Sequence, residues 1–293
     1  MKILVTGSTG QLGSDCKQVL QRSHDVVARN SKDLDIANQL EVTEFFRENR
    51  PDVVVNCAAY TKVDACESER DLAWRVNVDG TQALALRASE YGSKLIHIST
   101  DYVFDGRKKL PETYVEDDEV CPLSYYGQTK LEGELVVRRA NRNHIIVRTS
   151  WVYGLHGYNF LRTILRLVLQ DPKRELTVVN DQFGSPTWSY HLALQINRLI
   201  EMDGQGVFHA TSEGHCTWYE LATYFLDKMA VRHNLIPCST DDYPTPAVRP
   251  RNSILENRRL KEQGCNLMPH WQAGIDQFIE RDKDNLLKEW GLR

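Results

Sequence analysis

No stretch of this 293-residue chain approaches the roughly 18 uninterrupted apolar residues of a membrane span. The first apolar run, Ile3-Leu4-Val5, stops after three residues, too short for the core of a signal peptide. Neither sign of charge is in large excess. Lys and Arg number 36 against 40 Asp and Glu, a formal net charge of −4, which excludes a basic protein that wraps nucleic acid over its whole surface. The seven cysteines are odd in number, scattered and without a C-x-x-C pair, so they read as reduced thiols rather than a disulfide framework or a zinc site. There is no internal repeat and no low-complexity segment. Prolines number ten, and four of them, Pro237, Pro244, Pro246 and Pro250, fall in one stretch. With 41% hydrophobic and 26% charged residues the composition is that of an ordinary globular chain, long enough to bury a large core without cross-links. The expectation is a soluble cytoplasmic protein of about two domains, with neither nucleic acid nor membrane as a partner.

What is present is alternation. Residues 3–6, 24–28, 52–56, 94–99 and 144–149 are short Val- and Ile-rich runs, read as buried strands of a parallel sheet covered on both faces. Helices are predicted between them over 11–22, 38–49, 67–91 and 123–140, which gives βαβ units and a doubly wound α/β fold of Rossmann type. After about residue 155 the rhythm loosens. Helices are expected at 158–170, 187–201, 217–231 and 271–288, with short strands at 175–179 and 206–209. The division expected is a dinucleotide-binding domain over 1–155 and a smaller, mainly substrate-binding C-terminal domain over 156–293, with segments around 175–212 able to return to the first sheet.

The first strand runs into Thr6-Gly7-Ser8-Thr9-Gly10-Gln11-Leu12-Gly13. Glycines at 7, 10 and 13 after a strand and before a helix point backbone N–H groups, including those of Gln11 and Leu12, at a diphosphate. The second strand ends in Arg29 where an NAD site would often carry a carboxylate. A guanidinium there suits the 2′-phosphate of NADPH; as a solvated loop arginine it would leave NADH equally acceptable. Asp35, with Ile36 after it, is placed either to contact the adenine amino group or to cap the helix at 38–49, a role Asn38 fits better.

Tyr126-Gly127-Gln128-Thr129-Lys130 sets a phenol and an ammonium four apart on one helical face. A nearby cation and the nicotinamide environment are expected to favour the phenolate and lower its pKa, so that the phenol can pass a proton to or from a carbonyl oxygen, and the lysine can also hold ribose hydroxyls. Upstream, the fourth strand ends in His97-Ile98-Ser99-Thr100-Asp101. Ligands of open α/β sheets bind beyond the carboxyl ends of the strands, so a hydroxyl there can polarise the same carbonyl. Thr100 is the first choice for it and Ser99 the second.

With these motifs the chain resembles the dTDP-4-dehydrorhamnose reductases, within the extended short-chain dehydrogenases/reductases. The resemblance also rests on residues 56–64, Asn-Cys-Ala-Ala-Tyr-Thr-Lys-Val-Asp, on Ser-Thr-Asp-Tyr-Val-Phe-Asp-Gly at 99–106 and on Arg-Thr-Ser-Trp-Val-Tyr-Gly at 148–154. Residues 180–187 and 243–253 extend it through the C-terminal half. It implies hydride delivery from NAD(P)H to C4 of a deoxy-ketosugar nucleotide, with Tyr126 protonating the oxygen, Thr100 polarising the ketone and Lys130 binding the ribose. It places Ala58, Ala59, Tyr60 and Asn77 at the cofactor and Thr61, Val63 and Trp151 toward the sugar. Arg249 and Asn159 are candidates for the nucleotide-diphosphate end, with a structural salt bridge the alternative for Arg249. Trp188, Trp218, Trp271 and Trp290 read as packing residues, and His97 as a core histidine. Some members of the family are dimers bridged by Mg²⁺ through acidic side chains; here Ser189, Tyr190 and His191 stand at that position, so no metal site is expected.

Overall fold

The computed structural model describes residues 1–288; Trp290 lies outside them. The first half runs β1 (Lys2–Thr6), α1 (Gln11–Leu20), β2 (Asp25–Arg29), α2 (Gln39–Asn49), β3 (Val53–Asn56), α3 (Arg70–Trp74), α4 (Thr81–Glu90), β4 (Lys94–Thr100), α5 (Tyr125–Ala140) and β5 (His144–Thr149). The second half runs β6 (Val152–Tyr153), α6 (Phe160–Gln170), β7 (Leu176–Val179), β8 (Phe183–Gly184), β9 (Thr187–Trp188), α7 (Ser189–Glu201) and β10 (Gly206–His209). It ends with β11 (Cys216–Thr217), α8 (Trp218–Met229), β12 (Leu235–Cys238), α9 (Arg258–Glu262) and α10 (Trp271–Lys288).

Six strands form one parallel sheet in the order β10-β5-β4-β3-β1-β2. This is the doubly wound, Rossmann-like architecture. Successive side chains alternate between faces. Ile3, Val5, Val53, Val55, Ile96, Ile145 and Val147 join one buried cluster with residues of α1 and α7. Leu4, Val54, Leu95, Ile146 and Val207 join another with α2 and α4. Burial on both faces is why the strands read as continuous apolar runs.

The second half divides between two places. β10 pairs with β5 at the sheet edge, and α7 packs on α1. β7 instead pairs with β12 in a separate two-stranded ribbon. Around that ribbon α6, α8 and α10 bury a second core rich in aromatics, including Trp188, Phe225, Trp271 and Phe278. α8 starts at a capping box in which the Thr217 hydroxyl accepts from the Glu220 N–H and Glu220 accepts from the Thr217 N–H.

One predicted helix carries a π-helical turn. The span expected at 67–91 is helical from 70 to 90 as α3, a π-helical segment Arg75–Gly80, and α4. The wider turn carries the buried Asn77, whose amide bonds outside its own helix. A Cβ on Gly80 would stand 2.8 Å from Ile36 Cγ1, so the segment closes tightly on the loop before α2. No helix among the described residues is long and apolar enough to cross a membrane.

Candidate active site

The glycine loop is built to lie close to other backbone. Gly7 has φ +61, and a Cβ there would meet Ala58 N at 2.8 Å. A Cβ on Gly13 would stand 2.2 Å from the Gly7 carbonyl oxygen. Gly10 precedes α1 and no side chain caps that helix, so its first N–H groups face outward unclaimed by the protein's own side chains. A dinucleotide diphosphate fits that cradle. The Ser8 N–H donates to the Arg29 carbonyl at 3.1 Å, which brings the end of β2 beside the loop. The Arg29 guanidinium donates to the Ala28 carbonyl and lies 5.7 Å from the Phe45 ring. Asn38, not Asp35, caps α2, accepting from the Leu40 and Glu41 N–H groups. The Asp35 carboxylate accepts from the Ala37 N–H in a local turn, and Ile36 is buried beside Gly80.

Tyr126, Lys130 and Thr100 converge where α5 crosses the end of β4. Ser124 caps α5 by accepting from the Gly127 N–H, and a Cβ on Gly127 would stand 2.3 Å from the Tyr102 carbonyl oxygen. Tyr126 is nearly buried, packs edge-on to Tyr102 at 5.7 Å, and lies beside Thr100. Burial pushes its phenol well up, against the lowering effect of Thr100. The sequence expectation of a phenol lowered by the nearby cation is not what this arrangement does: Lys130 Nζ donates to the Ile98 carbonyl at 2.6 Å, and desolvation prevails at the tyrosine. Burial lowers Lys130 itself to about 8, opposed by the charge of Glu134. Thr100 and Ser99 are separated by their partners. The Thr100 hydroxyl lies 3.0 Å from Asp101 Oδ1, whereas Ser99 donates to Glu134 at 2.6 Å on the helix side.

Asn77 neither bonds its own helical turn nor projects free. Its Oδ1 accepts from the Tyr60 N–H at 2.8 Å, and its Nδ2 donates to the Tyr60 carbonyl and the Thr129 hydroxyl at 3.1 and 3.0 Å. It therefore clamps the segment after β3, which holds Ala58, Ala59, Tyr60 and Thr61, onto α5. Tyr60 and Val63 pack in a small cluster with Tyr126, and the Tyr60 hydroxyl donates to Glu69 at 2.6 Å. His97 is buried with one ring nitrogen 3.3 Å from Asn56 Nδ2 and the other against Gly133. Burial holds its pKa well below the usual value, so the ring is neutral.

Trp151 has φ +47, an uncommon conformation for an aromatic residue. Its ring stacks on Trp218 with centroids 3.5 Å apart and planes 10° apart, and a Cβ on Gly184 would stand 2.4 Å from it. Trp218 packs against the second core and also forms half of this stacked pair; Trp188 and Trp271 are core residues. Arg249 makes a bidentate pair with Asp64, at 2.8 and 3.1 Å. Asp64 also accepts from the Ala247 N–H, so residues 247–249 are latched to the segment after β3. Asn159 caps α6 and donates to Gln11 Oε1 and the Gly154 carbonyl, both at 2.9 Å. Gln11 donates to the Tyr158 carbonyl in return. Ser189 donates to Asp15. Among the described residues no group of three or more His, Cys, Asp or Glu is placed to hold a metal ion.

Sequence reasoning passed over Asp64, Asp101 and Glu134 as site residues. Each sits inside or just beside a motif, which was the available signal; only the fold shows what each touches. Asp101 is buried with Oδ2 unpartnered, and burial raises its pKa to about 6.

A parallel dinucleotide-binding sheet whose fourth strand and next helix bring a hydroxyl, a tyrosine and a lysine together defines an extended short-chain dehydrogenase/reductase. The family described as "RmlD substrate binding domain" matches residues 1–283. The dTDP-4-dehydrorhamnose reductase of Sinorhizobium fredii is 39% identical over 290 residues, covering 95% of this chain and 97% of the relative. The Clostridium acetobutylicum dTDP-4-dehydrorhamnose reductase structure superposes with TM-score 0.93 at 41% identity, covering 97% of this chain and all of the other. The Bacillus anthracis enzyme, solved in complex with NADP, gives TM-score 0.92 at 38% identity, over 96% and 99% of the two chains. The chain belongs to the dTDP-4-dehydrorhamnose reductase family.

Proposed function

We propose that this chain is an NAD(P)H-dependent reductase that converts the C4 ketone of dTDP-4-dehydro-L-rhamnose to the alcohol of dTDP-L-rhamnose. The observation that carries this is the meeting of Thr100, Tyr126 and Lys130 at the carboxyl end of β4, next to a glycine loop with an uncapped helix start. Bound reduced nicotinamide supplies a hydride. The α1 N–H groups, the glycine backbone and Arg29 hold the dinucleotide, with NADPH preferred and NADH accepted. Lys130 donates to the ribose hydroxyls. Thr100 donates to the ketone oxygen, and Tyr126 delivers its proton to that oxygen as the C4–H bond forms. The raised phenol keeps the proton in place until negative charge develops on the ketone oxygen. Val63, Thr61 and Trp151 face the sugar, with Trp151 presented by its stack on Trp218. The Asp64–Arg249 pair holds the loop that borders the nucleotide end. A cytoplasmic location is part of this reading, supported by seven free cysteines that suit a reducing environment.

The test is loss of reduced-nicotinamide absorbance with enzymatically prepared dTDP-4-dehydro-L-rhamnose, in parallel with NADPH and NADH. dTDP-L-rhamnose as product is expected, faster with NADPH at limiting cofactor. No oxidation of either cofactor by protein that binds dinucleotide overturns the reading.

A further inference from the structure

Tyr126 and Lys130 share a face of α5, and Glu134 continues it one turn on. Glu134 is fully buried and both oxygens of its carboxylate are occupied. Oε1 accepts from the Ser99 hydroxyl at 2.6 Å and from Arg148 Nε at 2.8 Å; Oε2 accepts from Arg148 Nη2 at 2.8 Å and lies 3.6 Å from Arg138 Nη2. Arg148 is itself 2% exposed. A bidentate guanidinium clamp favours the ionised carboxylate and fixes its direction. No step of the proposed reaction uses this group.

Lys130 is where an anion is needed. Its Nζ is buried, and the acceptor it has, the Ile98 carbonyl, is neutral. Burial without a compensating charge converts a lysine to its neutral amine. The groups facing it from the surrounding elements are few. Cys57 follows β3, and His97 on β4 is held neutral. Tyr126 lies one turn before it, and Arg148 on β5 is paired with Glu134. Glu134 is the carboxylate in this set.

We propose that Glu134 is a positioning residue for reduction: clamped by Ser99 and Arg148, its carboxylate keeps the buried Lys130 an ammonium and so able to hold the ribose and support Tyr126. The proposal rests on the role given to Lys130 above.

The experiment compares pH profiles, from about pH 6 to about pH 9, of turnover and of NADPH binding; binding stays readable in variants that do not turn over. In the parent protein both fall on the alkaline side as Lys130 loses its proton. Glu134→Gln is expected to move that limb about one pH unit or more toward acid, so that function falls about fivefold or more at pH 8 but less than about threefold at pH 6. Glu134→Asp keeps the charge and is expected to bring the limb back. A limb in Glu134→Gln where the parent has it overturns the proposal, because a purely structural carboxylate lowers function equally at every pH. Glu134→Gln strands Arg148 and can prevent folding. The double variant Glu134→Gln/Arg148→Gln strands no charge; its limb is expected to move the same way, and a parent-like limb there is equally fatal. Lys130→Met separates the two claims. A limb that survives in Lys130→Met overturns the assignment of Lys130 and this proposal with it. A limb that vanishes there but is unmoved by Glu134→Gln overturns the role of Glu134 alone.

Discussion

Around the carboxyl ends of β1 to β5, the site's side chains are fixed by buried polar contacts between neighbouring strands and helices. Thr6 donates to Asn56, Asn56 reaches His97, Ser99 reaches Glu134, and Asn77 grips Tyr60 from both ends of its amide. Beyond Ser150 the means change. Trp151 is set by ring stacking and a left-handed backbone, and residues 247–249 by one ion pair and one backbone contact to Asp64. The first arrangement suits proton and hydride chemistry, where a small displacement costs rate and a low dielectric sharpens every charge. The second suits choosing a sugar nucleotide, because a stacked ring and a latched loop can be altered without disturbing the reacting atoms. Chemistry and selectivity are therefore expected to come apart under mutation.

The largest effect expected is for Tyr126→Phe, which removes the proton and leaves the packing against Tyr102. Turnover should drop by about 10²–10⁴ while NADPH affinity, read by fluorescence, holds. Equal loss of both would mean that the two sets of functions are not separable even within the sheet.

Asp101→Asn probes what burial costs the catalytic side. The folded-state pKa of Asp101 is raised from 3.8 to about 6, so its contribution favours the folded state below pH 3.8 and is lost as pH rises through about 6. Above that pH the charged carboxylate is a burden, and asparagine relieves it. The variant should be more stable than the parent by about 1–3 kcal/mol at pH 7.5, with the gain shrinking at pH 5, as read by thermal melts at both values. A constant gain at both would assign the effect to something other than titration.

Arg29→Ala tests the cofactor end of the sheet. NADPH should weaken about tenfold more than NADH, about 1.4 kcal/mol of discrimination. An equal effect on both would return Arg29 to its packing role against Phe45.

Asp64→Asn, the mildest change, loosens the latch on Arg249. KM for the sugar nucleotide should rise several-fold with kcat and NADPH affinity unchanged, and stability should fall by less than about 1 kcal/mol, because the pair is only partly buried. A matching fall in kcat would show that the latch also shapes the reacting centre.

Much of this was legible in the order of residues. The five first-half strands, the glycine loop and the Tyr-x-x-x-Lys pair all follow local rules: apolar runs, a tight turn after a strand, and two side chains four apart. The helix expected over 67–91 is there from 70 to 90, but its π-helical turn at 75–80, where Asn77 grips Tyr60 and Gly80 closes over Ile36, carries no local signal. The short strands β6, β8, β9 and β11 were not anticipated, because two residues carry no periodicity; nor were the four-residue β12, which runs into the proline-rich stretch, and the five-residue α9.

By itself the sequence determined the parallel sheet, the place of the glycine loop and the residues that meet beyond β4, since each depends on neighbours within a few positions or on strand order. Only the tertiary structure decided that Ser99 turns to Glu134 while Thr100 faces Tyr126, that Asp64 latches Arg249 and that Trp151 stacks on Trp218. Those contacts join residues far apart in the chain or separate adjacent ones onto opposite sides of a strand. Their energies come from burial and pairing, which no local pattern records.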